Sequence, residues 1–164
     1  MKKMFKSSMA VATAALIAVS CEYNGMAEQQ VNIPQAAWHK DSAVVVALPA
    51  EDTLSHCAIL LTLRHTDDYP YDNIILSVAT TAPSGMTVCD TVEYRLMDDG
   101  KWNGKTGGKW IDSRLEFRTG VRFRQYGDYR FQIAHLMRHE QLPGVGAIGV
   151  RIERMEEYGA DESQ

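Results

Sequence analysis

The stretch His56-Cys57-Ala58-Ile59-Leu60-Leu61-Thr62-Leu63-Arg64-His65, then Thr66-Asp67-Asp68-Tyr69-Pro70-Tyr71-Asp72-Asn73, then Ile74-Ile75-Leu76-Ser77-Val78-Ala79-Thr80-Thr81 reads as strand, turn and strand. The outer pieces are apolar and contain β-branched residues, which suit an extended backbone with at least one buried face. The middle piece gathers aspartates, an asparagine and Pro70, whose ring limits the local backbone.

Working outward, the same grammar repeats. Residues 42–48 form an apolar run closed by Pro49-Ala50-Glu51-Asp52. Residues 86–97 place Val88, Asp90, Val92, Tyr94 and Leu96 at period two, and Asp98-Asp99-Gly100-Lys101 makes a turn. The glycines among residues 102–110 forbid a regular helix, and residues 111–117 read as a short strand or extended connector. Residues 129–138 put Tyr129, Phe131, Ile133 and His135 on one face, with a helical turn over 132–138 as the competing reading. In residues 147–154, Ile148, Val150 and Ile152 alternate with Gly149, Arg151 and Glu153. Trp38, in the turn-like segment 33–41, is expected to seal one end of the core. After the leader described next, no segment keeps a helix period over three turns. About seven to nine short strands separated by turn signals predict an all-β, single-domain antiparallel β-sandwich, jelly-roll-like.

The N-terminus speaks of location. Lys2, Lys3 and Lys6 precede an apolar run over residues 9–19, and Ser20-Cys21 follows. A basic head, a short apolar segment and a cysteine after small residues form the layout of a bacterial lipoprotein signal. The run is too short to span a bilayer, which takes about 20 apolar residues. The expected organisation is a signal peptide over 1–20, lipidation at Cys21 by acyl chains such as palmitate, a flexible tether over 21–31, the sandwich over 32–156 and a polar tail over 157–164. A plain signal peptide cut near Ala27 and an uncleaved anchor are the alternatives. The protein is therefore expected in the cell envelope, held to a membrane through its N-terminal lipid; neither the membrane nor the face is specified.

Composition narrows the partners. The full chain carries 17 basic and 21 acidic residues, a net charge of −4; losing the three leader lysines leaves 14 basic residues and −7. A net acidic domain is a poor match for nucleic acid, which needs a concentrated basic face. Besides Cys21 there are only Cys57 and Cys89, readable either as a disulfide or as two buried thiols.

No catalytic set is legible, so no enzyme, cofactor or metal site is expected, and a small-molecule ligand is not indicated. His39, His56, His65, His135 and His139 complete no HxxH or HExxH spacing. Asp67, Asp68 and Asp72 lack the spaced ligands of a calcium loop. The glycines from 104 to 108 lack phosphate-loop spacing. Tyr69 and Tyr71 around Pro70, with Trp102 and Trp110 around the glycine-rich segment, are candidate contacts for a protein partner or a glycan, against burial as core caps. Arg64, Arg138 and Arg151 sit among apolar residues and are expected in structural ion pairs, with Glu93 and Glu153 available.

Several stretches also carry a family pattern. They are Ile33-Pro34-Gln35-Ala36-Ala37-Trp38, the run from Leu63 through Asn73, Asp90-Thr91-Val92-Glu93-Tyr94-Arg95-Leu96, Gly100-Lys101-Trp102-Asn103-Gly104, Gly127-Asp128-Tyr129-Arg130-Phe131-Gln132, Met137-Arg138, Leu142-Pro143-Gly144-Val145 and Gly149-Val150-Arg151-Ile152-Glu153. In these the chain resembles the gliding-motility lipoprotein GldH family of the Bacteroidetes. The resemblance implies a non-catalytic envelope lipoprotein, accessory or structural, connected with gliding and the type IX secretion machinery and with components of an envelope complex. A carbohydrate-binding surface lipoprotein is the alternative.

Overall fold

A computed structural model describes residues 27–155. The leader, Cys21 and the polar tail over 157–164 lie outside the described residues. In chain order the described part comprises β1 (Ala27–Asn32), a 3-10 turn (Pro34–Ala36), β2 (Ala37–His39), β3 (Val44–Ala50), β4 (Cys57–Thr66), β5 (Asn73–Thr81) and β6 (Thr87–Arg95). It continues with β7 (Met97–Asp98), β8 (Lys101–Trp102), β9 (Lys105–Gly107), β10 (Trp110–Val121), β11 (Gly127–His135), β12 (Gln141–Pro143) and β13 (Val145–Arg154).

Two sheets face each other, one in the order β1-β13-β4-β10-β9 and one in the order β3-β11-β5-β6. Two-stranded ribbons, β12-β2 and β7-β8, close the ends. Every pairing is antiparallel. Taking β1, β3, β4, β5, β6, β10, β11 and β13 as first to eighth, the sheets read first-eighth-third-sixth and second-seventh-fourth-fifth. That is jelly-roll order, a sandwich built of two Greek keys.

The core lies where alternate residues of both sheets meet. Leu61 and Leu63 of β4, Leu76 and Val78 of β5, Phe131 and Ile133 of β11, and Ile148 and Val150 of β13 are all essentially inaccessible. The face Tyr129, Phe131, Ile133 and His135 points inward as the alternation requires. Of the residues weighed for a helical turn at 132–138, Gln132 to His135 instead complete β11, laddered to β5, and 136–138 follow it outside any helix or strand.

The strands extend beyond the predicted runs where partners exist to ladder them. Residues 111–117 belong to the twelve-residue β10, which pairs with β4 and carries register shifts between Glu116 and Arg118 and between Arg118 and Val121. Residues 27–31, expected in the tether, form most of β1. Their side chains are largely exposed, which is what composition registers. Their backbone groups pair with β13 from Ala27↔Ile152 to Asn32↔Ala147, which composition cannot register.

Polar bridges tie both flanks of the sandwich. On one, the Ala47 N–H donates to Gln29 Oε1 at 3.2 Å, joining β3 to β1. On the other, the Tyr94 hydroxyl donates to the Glu116 carbonyl at 2.9 Å and Arg118 meets Asp90 at 2.7 Å, joining β6 to β10. Burial beside Glu116 pushes the Tyr94 phenol up to about 12, so it stays a donor at physiological pH. The β7–β8 turn is made by Asp99 and Gly100 at φ 48° and 74°, the pair of positive values that a tight Asp-Gly hairpin demands.

Candidate functional site

The corner between β4 and β5, residues 64–73, gathers the most specific run of the sequence, and many of its polar groups have a structural partner. Arg64 projects from the outer face of β4 and grips Asp112 of β10 with two parallel bonds, Nε to Oδ1 at 2.7 Å and Nη2 to Oδ2 at 3.0 Å. The cross-strand register Asp112↔Arg64 places them side by side. The Thr66 hydroxyl donates to Asp68, and the Thr66 N–H donates to the Gly144 carbonyl at 2.8 Å. The Tyr69 hydroxyl donates to the Asn73 carbonyl at 3.1 Å, which closes the turn on itself. Asn73 Nδ2 donates to Glu93 Oε1 at 2.6 Å, and Tyr71 Oη lies 2.7 Å from His139 Nδ1.

Rings form the interior of this corner. Trp102 meets His65 edge-on at 4.7 Å, His65 meets Tyr69 at 5.4 Å, Tyr69 meets Tyr71 at 5.9 Å and Tyr71 meets His139 at 5.6 Å. Such tilted and edge-to-face pairs contribute about 0.5–1.5 kcal/mol each beyond the area they bury. Tyr69 is buried and burial holds its phenol well above the ordinary range, so it is neutral and its ring faces are taken. Tyr71 and Trp102 are half-buried at the edge of the stack. Trp110 stands apart: its ring covers Gly146, where an added Cβ would fall 2.4 Å from the ring, and Lys109 Nζ lies 5.1 Å from its centre.

The arginines divide. Arg151, on β13, is buried and bonds Glu28 of β1 and Glu153 of its own strand. Arg64 takes Asp112 rather than Glu93, and Glu93 takes Asn73. Arg138 is exposed and has no carboxylate within 4.0 Å among the described residues. Asp112 and Glu28 were not legible as partners, because only the β10–β4 and β1–β13 pairings bring them to Arg64 and Arg151. Cys57 and Cys89 are both free; Cys57 is buried on β4, where burial raises its thiol, and Cys89 is exposed on β6. Among the described residues no three histidine, cysteine or carboxylate side chains converge to hold a metal ion.

Two buried histidines carry a titration. The His65 Nδ1–H donates to the Thr66 carbonyl and the His135 Nε2–H to the Trp38 carbonyl, each at 2.9 Å. His65 Nε2 and His135 Nδ1 are buried without a partner among the described residues. Protonation would place a second N–H in each dry pocket, and burial accordingly lowers both groups below the ordinary 6.5, although Asp112 pulls His65 the other way. Between 6.5 and the lower folded values the unfolded chain binds more protons, so stability falls as pH falls through that window. Thermal unfolding followed at pH 7.5 and pH 5.5 should show a Tm lower by about 3 °C or more at pH 5.5. Replacing both histidines with glutamine should flatten that difference.

With this arrangement described, the comparisons are direct. The GldH lipoprotein family model matches residues 25–152, from just before β1 into the end of β13. The chain belongs to the GldH lipoprotein family. The gliding motility lipoprotein GldH of Flavobacterium johnsoniae is 32% identical over 157 residues, covering 91% of this chain and 97% of that one. A GldH homolog from Christiangramia forsetii is 29% identical over 143 residues, covering 82% and 87%. Among solved structures, the VP2 subviral particle of infectious bursal disease virus aligns with TM-score 0.34 and 12% identity over 90% of this chain and 37% of that chain. The Gt strain of the same virus gives TM-score 0.34 and 11% identity, again over 37% of that chain, so this chain spans little more than a third of either. In this chain the corner at 64–73 is a packed and bonded joint between the two sheets.

Proposed function

We propose that this chain is a non-catalytic envelope lipoprotein, fastened to a membrane by lipid on Cys21, that serves as an accessory or structural subunit of the gliding-motility and type IX secretion machinery. The observation that carries the reading is the match to the gliding motility lipoprotein GldH of Flavobacterium johnsoniae across 97% of that protein. The leader with Cys21 supports the anchor, since no helix among the described residues is long and apolar enough to cross a membrane; strands are a separate matter. The site supports a scaffold: the side chains of the family corner hold the sandwich together and present no nucleophile–base pair.

The test is crosslinking and affinity purification of the protein from its own envelope, beside a Cys21→Ala control. Motility or secretion components should co-purify with the native protein and be lost in the control. Normal secretion and motility in a deletion strain, with nothing specific recovered, would overturn the assignment.

A further inference from the structure

The sheets part on the flank between β6 and β10, and the gap holds a cleft of about 500 Å³. Its wall is apolar and drawn from both sheets: Ile59, Ala82, Met86, Val88, Phe117 and Tyr129. The size falls in the range of about 300–1,000 Å³ typical of small-molecule clefts. Met86 and Val88 are 68% and 51% exposed at its rim, a costly disposition for two large apolar side chains side by side.

Thr80, Asp90, Arg118 and Arg124 complete its lining. Arg118 is already committed to both oxygens of Asp90. Arg124 lines this cleft and also a second, open pocket of about 690 Å³, where Arg122 and His56 join it. Neither Arg122 nor Arg124 has an ion-pair partner among the described residues. Arg124 is therefore an uncommitted guanidinium group on the lining of an apolar cleft, and Arg122 lines the second pocket that shares it, in a chain whose net charge is −4.

We propose that this cleft is a binding site for a single-chain fatty acid, with the acyl chain against the apolar wall and the carboxylate on Arg124. An apolar wall with an uncommitted cation on it selects an amphiphile with one anionic group, because guanidinium–carboxylate bonds are charge-assisted and directional. About 500 Å³ holds one long acyl chain and not two, which separates a fatty acid from an intact diacyl lipid. The sequence carries no sign of such a ligand, since the wall is assembled from β4, β6, β10, β11 and the β5–β6 turn.

The test is a fluorescence titration of the full chain carrying Cys21→Ala, which has no acyl group of its own, with cis-parinaric acid and with its methyl ester. Saturable one-to-one binding of the acid is expected, at least tenfold tighter than the ester. Arg124→Glu should weaken the acid at least tenfold and leave the ester unchanged. Val88→Asp should weaken both. Both positions are exposed, and unchanged thermal unfolding of the variants would show the fold intact. Absence of saturable binding, equal binding of acid and ester, or full binding by Val88→Asp would each overturn the proposal.

Discussion

Arg151→Ala is expected to lower the unfolding free energy by about 3 kcal/mol, at the lower end of what breaking a buried ion pair costs. The Arg151 side chain is only 6% exposed and serves Glu28 and Glu153 together, whose side chains keep 35% and 30% of their surface in water. That partial solvation moderates the penalty of leaving two carboxylates facing each other. Arg114, with Nη1 4.0 Å from Glu153, compensates a little more. The loss is concentrated at one place, because Glu28 belongs to β1 and its bond to Arg151 supplements a strand with few apolar side chains. Urea unfolding measures the change. Hydrogen exchange should show β1 amides opening before those of β4 and β13. Removing all three charges, Arg151→Met with Glu28→Gln and Glu153→Gln, should recover part of the loss; a single-variant cost below about 1 kcal/mol would contradict a structural role for the triad.

Trp38→Ala should cost about 3–5 kcal/mol, the usual range for truncating a large buried ring. Trp38 is 1% exposed, pairs across the end ribbon with Leu142 and meets the His135 ring edge-on at 5.2 Å. Its indole N–H donates to the Ser42 carbonyl at 2.7 Å, and its own carbonyl holds His135. Truncation therefore opens a cavity, removes the partner of a carbonyl and loosens the seat of a histidine that must stay neutral. A fall in Tm of roughly 10 °C is the expected reading. Trp38→Phe keeps most of the ring and loses the N–H, so about 1–2 kcal/mol is expected for it. The variants should also flatten the pH dependence, because a looser pocket admits water to His135 and relieves the burial that lowers it.

What proved legible in the sequence is what depends on neighbours along the chain. Apolar, β-branched runs at 56–65 and 74–81 marked strands, and alternation in 129–135 and 147–154 marked core faces, since side chains in a strand point to opposite sides in turn. Asp98-Asp99-Gly100-Lys101 announced a hairpin because only certain residues accept its backbone. Trp38 was recognisable as a core seal from its size and its turn-like setting. The candidate contacts Tyr69, Tyr71, Trp102 and Trp110 could be named, but whether they face solvent or one another depends on pairings such as Trp102 with His65 and Tyr71 with His139, between residues far apart in the chain.

The sequence by itself determined an all-β chain, its core faces and the family pattern. These follow from side-chain period, turn chemistry and the order of motifs, all local in the chain. Only the tertiary structure decided that β1 begins at Ala27, that Arg64 takes Asp112, that Arg151 takes Glu28 with Glu153, and that an apolar cleft with Arg124 at its mouth opens between β6 and β10. The reason is physical: a cross-strand partner is fixed by sheet order and register, and a cleft by how two twisted sheets diverge. Both are set by contacts between residues tens of positions apart, where a local pattern carries no information.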